Sequence, residues 1–163
     1  MLAVPVAAQG PTLEYQVKAA YIYNFTRYVE WPRGALGAGP LTICVAGRNP
    51  FASALDDIVR DERIANRPVA VRTILEPDAG CRVIFVPNGA AMPAYLRAAQ
   101  GRPVLTIGES PDFLAMGGIV NFVREGENVR FEISAEAADR AGLRISSRVM
   151  RLARTHGSRG GTL

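Results

Sequence analysis

The sequence predicts a single α/β domain: a mostly parallel sheet with helices on both faces, a Rossmann-like three-layer arrangement, and an antiparallel C-terminal hairpin. Three observations predict it. Short runs rich in β-branched residues recur along the chain as LTICVA, PVAVRTI, CRVIFV and PVLTIG. Stretches with three- and four-residue apolar spacing fall between them, and strands without polar alternation need cover on both sides. Near the C-terminus the pattern changes to two alternating runs joined by Arg124-Glu125-Gly126-Glu127-Asn128, the signature of an antiparallel hairpin. With 163 residues, 48% hydrophobic and 21% charged, the chain can bury one core.

In order along the chain, residues 1–12 read as a signal-peptide remnant or a disordered tail. LAVPVAA is apolar and ends in small residues, with no basic segment before it. Residues 13–154 form the domain. The first helix runs from Glu14 to Trp31, capped by Thr12 and stopped by Pro32 and Gly34. It holds six of the chain's twelve aromatic residues. Tyr21, Ile22, Phe25, Tyr28 and Val29 share one face, which is apolar apart from Lys18. Tyr23 lies on the polar side. LTICVA (41–46) is a buried strand, 49–61 a helix, PVAVRTI (68–74) and CRVIFV (81–86) strands, and 87–100 a helix. PVLTIG (103–108) is the fourth strand, and a short helix follows from Ser110–Pro111 to Gly117–Gly118. The hairpin precedes helices over 135–141 and 146–154, and residues 155–163 are a disordered tail.

The chemistry is sparse. The only histidine, His156, lies in the Gly-rich tail, so Ser-His and Cys-His nucleophile pairs and multi-histidine zinc sites find no support. Gly47-Arg48-Asn49-Pro50 follows the first strand but lacks the later glycines of a dinucleotide loop. Asp56, Asp57, Asp61 and Glu62 alternate with Arg60 and Arg63 as a solvated helix face does. The formal charge is +4, carried almost wholly by scattered arginines, and no basic stripe with interleaved aromatics points to nucleic acid. Arg144, Arg148, Arg151 and Arg154 make a basic stripe on the last helix, which reads either as a solvated face or as a contact for an acidic partner surface or anionic lipid. No apolar run reaches the ~18–20 residues of a membrane span. No cofactor, metal or catalytic residue is expected. Cys44 and Cys81 are compatible either with one disulfide or with two buried thiols.

Several motifs converge on one family. Lys18-Ala-Ala-Tyr-Ile-Tyr-Asn-Phe25 through Val29-Glu-Trp-Pro32, Leu41-Thr-Ile-Cys-Val45 and Cys81-Arg-Val-Ile-Phe85 occur in that order. Gly101–Gly108, Gly117–Phe122, Val129–Ile133 and Ala141–Ser147 follow, and together they resemble the YfiR family from about Tyr15 to Ala153. The resemblance implies a periplasmic, non-enzymatic regulator. Such a protein binds the periplasmic sensor domain of a membrane-bound diguanylate cyclase and represses it, lowering cyclic-di-GMP and biofilm formation. It also implies a homodimer, an outer-membrane lipoprotein able to sequester the inhibitor, and a structural disulfide whose positions match Cys44 and Cys81. Some members carry a second cysteine pair near the hairpin, and this chain has none there; Ser134 stands where many relatives have Asn.

Partner contact is expected at the hairpin and C-terminal region, around Phe122, Glu132 and Leu143. The competing expectation is a periplasmic sensor that binds an aromatic metabolite in a pocket lined by Tyr23 and Trp31, the only Trp.

Overall fold

The computed structural model describes residues 11–154. The leader-like residues 1–10 and the tail 155–163, with His156, lie outside the described residues. In chain order the elements are α1 (Leu13–Arg27), β1 (Val29–Glu30), β2 (Leu41–Ala46), α2 (Ala54–Val59), β3 (Arg63–Ile64), β4 (Arg67–Ile74) and β5 (Val83–Val86). Then come α3 (Met92–Ala99), β6 (Leu105–Gly108), β7 (Val120–Glu125), β8 (Asn128–Ile133), α4 (Ala135–Arg140), β9 (Arg144–Ile145) and α5 (Ser147–Leu152).

Seven strands form one sheet in the order β3-β4-β2-β5-β6-β7-β8. The pairs from β4 to β7 are parallel, and β3 and β8 close the two edges antiparallel. Numbered among themselves, the five parallel strands run 2-1-3-4-5, a doubly wound order. The expected α/β fold is therefore present. Alternation along β2 sorts its side chains between faces: Leu41, Ile43 and Val45 join the larger cluster with α1, α2 and α5, whereas Cys44 and Ala46 join the smaller one with α3.

The expected elements shift where tertiary partners override local pattern. The first helix stops at Arg27, not Trp31, because Val29 and Glu30 pair antiparallel with Ile145 and Arg144 in a separate two-stranded sheet. The expected helix over 49–61 is helical only at Ala54–Val59. Before it, the Asn49 side chain accepts the Phe51 N–H at 2.8 Å and Ala52 adopts φ 50°, which holds the segment in a turn. The helix over 87–100 contracts to Met92–Ala99, and 111–117 is a series of turns rather than a helix. Those turns seat Phe113, fully buried, against Gly108 and Gly118, where an added Cβ would run into its ring. An unexpected hairpin joins β3 to β4, with Ala65 (φ 53°) and Asn66 (φ 62°) as its two-residue turn.

Candidate functional site

The parallel strands end together at the edge where β5 and β6 run out, and the chain continues there as Pro87-Asn88 and Glu109-Ser110. In open α/β sheets this carboxyl-end crevice is where ligands bind. A groove of about 350 Å³ lies there, walled by α1 through Glu14, Tyr15 and Lys18 and by β7 through Asn121 and Arg124.

Lys18, the only lysine, is buried with 3% of its surface exposed. A buried ammonium is tolerated only when paired. Its Nζ meets Glu109 Oε1 at 2.8 Å and Glu14 Oε2 at 2.5 Å, one turn back on α1. It also lies 4.7 Å from the Tyr15 ring centroid and 5.6 Å from that of Phe122. Glu109, whose side chain is 5% exposed, is fully engaged: Tyr15 Oη donates to Oε2 at 2.9 Å, and the Asn88 N–H donates to the same oxygen at 2.9 Å. Burial, and then the Glu109 charge and hydrogen bond, push the Tyr15 phenol well above its ordinary value. At the rim, Arg124 Nη1 stands 3.4 Å from Glu14 Oε1.

Asn121 is 3% exposed. Its Nδ2 donates to the Ser110 carbonyl at 3.0 Å, while its buried Oδ1 has no hydrogen-bond partner among the described residues. Buried polar atoms are seldom left so. The arrangement gathers an ammonium, two carboxylates and a phenol at one end of the groove, with the ammonium and phenol held by the carboxylates. No group of three or more His, Cys, Asp or Glu among the described residues is placed to hold a metal ion.

Sequence reasoning missed this site. Its one local signal was Lys18 on an otherwise apolar helix face; Glu109, 91 residues away, carried none.

The residues singled out from the sequence are dispersed. Cys44 and Cys81 form a disulfide, Cα–Cα 5.8 Å, inside the smaller cluster. Tyr23 is half-buried, with the Arg27 guanidinium 5.5 Å from its ring centroid; desolvation and a hydrogen bond with Glu62 raise its phenol pKa. Trp31 is half-buried and its indole N–H has no hydrogen-bond partner among the described residues. Neither lines the aromatic-walled cavity of about 170 Å³, which is built from Tyr21, Phe25, Tyr28 and Phe131 with Arg148 and Leu152. Phe122 and Leu143, 2% and 3% exposed, are core residues, so their side chains are closed to a partner in this structure. Phe122 packs against Phe25 and Phe85 and reaches the groove. Glu132 is nearly buried, with Arg154 Nε 3.5 Å from Oε2.

Compared with known protein families, the chain matches a family model described as YfiR/HmsC-like over residues 15–154.

Proposed function

The chain belongs to the YfiR/HmsC-like family, and on that footing we propose that it binds the periplasmic sensor domain of an inner-membrane diguanylate cyclase and represses it, lowering cyclic-di-GMP and biofilm formation. At family level the assignment is to periplasmic, non-catalytic regulators of diguanylate cyclases. The observation that carries the reading is the extent of the match, which takes in nearly all the described residues. The Cys44–Cys81 disulfide supports an oxidising compartment. No helix among the described residues is long and apolar enough to cross a membrane, which accords with a membrane-bound partner carrying the signal inward.

Repression works by differential affinity: the regulator binds the inactive state of the sensor more tightly and shifts its population. The contact surface lies on the hairpin, with buried Phe122 supporting it from within and Arg124, Glu125 and Arg130 at its exposed arm. A homodimer and a sequestering outer-membrane lipoprotein complete the proposed set of partners.

The test is repression of cyclase output in cells lacking their own inhibitor. The wild-type chain lowers cyclic-di-GMP, and Arg124→Glu with Arg130→Glu relieves repression while leaving the melting temperature unchanged. Repression equal to wild type in that variant would remove the hairpin arm as the contact. No repression by the wild-type chain of any cyclase it co-purifies with would remove the reading itself.

A further inference from the structure

We propose that the cavity between α3 and α4 binds an aliphatic monocarboxylate, with its tail on the apolar floor and its head at the arginine rim. The inference goes beyond cyclase repression and does not depend on it.

The cavity measures about 540 Å³ and lies where the two apolar clusters meet. Leu96 and Val104 line it from the smaller cluster, Ile119 and Ala137 from the larger, and none of the four is more than 8% exposed. The sequence leaves this space open. Ala137 and Ala141, joined by the helical bond from the Ala141 N–H to the Ala137 carbonyl, stop at Cβ, so α4 sends no long apolar side chain toward α3. A Cβ built on Gly101 or Gly117, both on the lining, would meet nothing within 4 Å. Met116 stands on the same lining with 45% of its surface exposed, and a thioether side chain adapts to what fills the space beside it. The volume falls in the range of small-molecule sites, roughly 300–1,000 Å³.

Charge chooses the head group. Among the described residues, Arg97 of α3 and Arg140 of α4 are the only charged residues on the lining. Neither guanidinium forms an ion pair with a described residue. Asp139, beside Arg140 in sequence, lines a different groove with Leu143 and Met150. Both arginines are exposed while the floor is buried, which puts charge at the mouth and apolar surface below it. A guanidinium fork matches a carboxylate. An alkylammonium would be repelled there, and an alcohol would use the floor alone. No aromatic side chain lines the cavity, so it offers a flexible chain contact but gives a planar ring nothing to stack on.

The probe is sodium octanoate, titrated below its micelle threshold into the oxidised full chain at neutral pH, with the Met116 methyl and the backbone amides followed by NMR. Acetate supplies the head without the tail, octylammonium the tail with the opposite charge, and octanol the tail without charge. Saturable octanoate shifts are expected at Met116, Gly117 and Ala141, with acetate and octylammonium weaker by about tenfold or more. Arg97→Gln combined with Arg140→Gln, both at exposed positions, weakens octanoate about tenfold through loss of the charge-assisted bonds. The same variant leaves octanol binding unchanged, a split that a structural role would not produce. Ala141→Leu fills the floor and weakens octanoate and octanol together; if it does not fold, the arginine variant carries the test. The proposal is overturned by the absence of saturable shifts at millimolar octanoate, by shifts that map away from the cavity, by acetate or octylammonium binding as tightly, or by either variant, once folded, leaving octanoate affinity unchanged. Any of these leaves the repression assay above untouched.

Discussion

The two faces of the sheet are held by different means. On the α1 face a continuous set of rings packs edge to face: Phe25 on Phe131 at 4.7 Å between centroids, Phe51 on Phe85 at 5.0 Å, and Tyr21 on Phe131 at 5.3 Å. On the α3 face the cluster is smaller, and its one phenylalanine, Phe113, lies in a slot left by two glycines. That face also carries the Cys44–Cys81 bond. Where apolar area is ample, ring packing is the main support, joined by the buried Lys18–Glu109 pair at one end. Where it is scarce, a covalent tie restricts the unfolded chain instead.

The contrast is open to direct attack. Phe122→Ala opens a cavity at the centre of the α1 face and should cost about 3–5 kcal/mol in urea unfolding; a loss below about 1 kcal/mol would mean the rings are not the principal support. Replacing Cys44 and Cys81 together by Ala should cost about 4 kcal/mol, given a separation of 37 residues. Hydrogen exchange should then report α3 amides opening well before those of α1. Equal loosening of both layers would show that the bond stabilises the domain as a whole and not one face. Gly118→Ala forces the Phe113 ring aside and should cost about 1–3 kcal/mol by thermal melting.

The smallest effect concerns pH and belongs to the α1 side. The Tyr15 pKa is raised in the fold above its unfolded value of about 10, so its contribution is full below that pH and declines as pH rises beyond it. Melting temperature should fall more steeply above pH ~10 in the wild type than in Tyr15→Phe. Parallel curves would separate Tyr15 from the alkaline transition.

What could be read from sequence was what local pattern encodes. LTICVA and VIFV are apolar and rich in β-branched residues, and Glu125 to Asn128 brackets a tight turn, so the central strands and the last hairpin were legible. The β3–β4 hairpin was not: its turn is Ala65-Asn66, with no glycine to announce positive φ. Val29 continues the helical period of α1, and only its pairing with Ile145 turns it into strand. The alternation of β7 marks Phe122 and Asn121 as facing opposite ways but does not say which side is covered. The site was harder still, since Lys18 and Glu109 meet only after β6 has been placed in the sheet. The anomaly of one lysine on an apolar face was visible; its partners were not.

The small β1–β9 sheet has a consequence for the order of events in folding. Val29 leaves α1 near the start of the chain, yet its partner Ile145 comes after every strand of the main sheet, and the Ser146 N–H then closes onto the Tyr28 carbonyl. A chain emerging N-terminus first must hold the end of α1 without its partner until almost the whole domain has appeared. Contacts so distant in sequence carry a large loop-closure cost and form late. The clasp therefore acts as the closing step of assembly, and a chain cut short before Arg144 would keep its sheet strands while leaving the first helix unfastened.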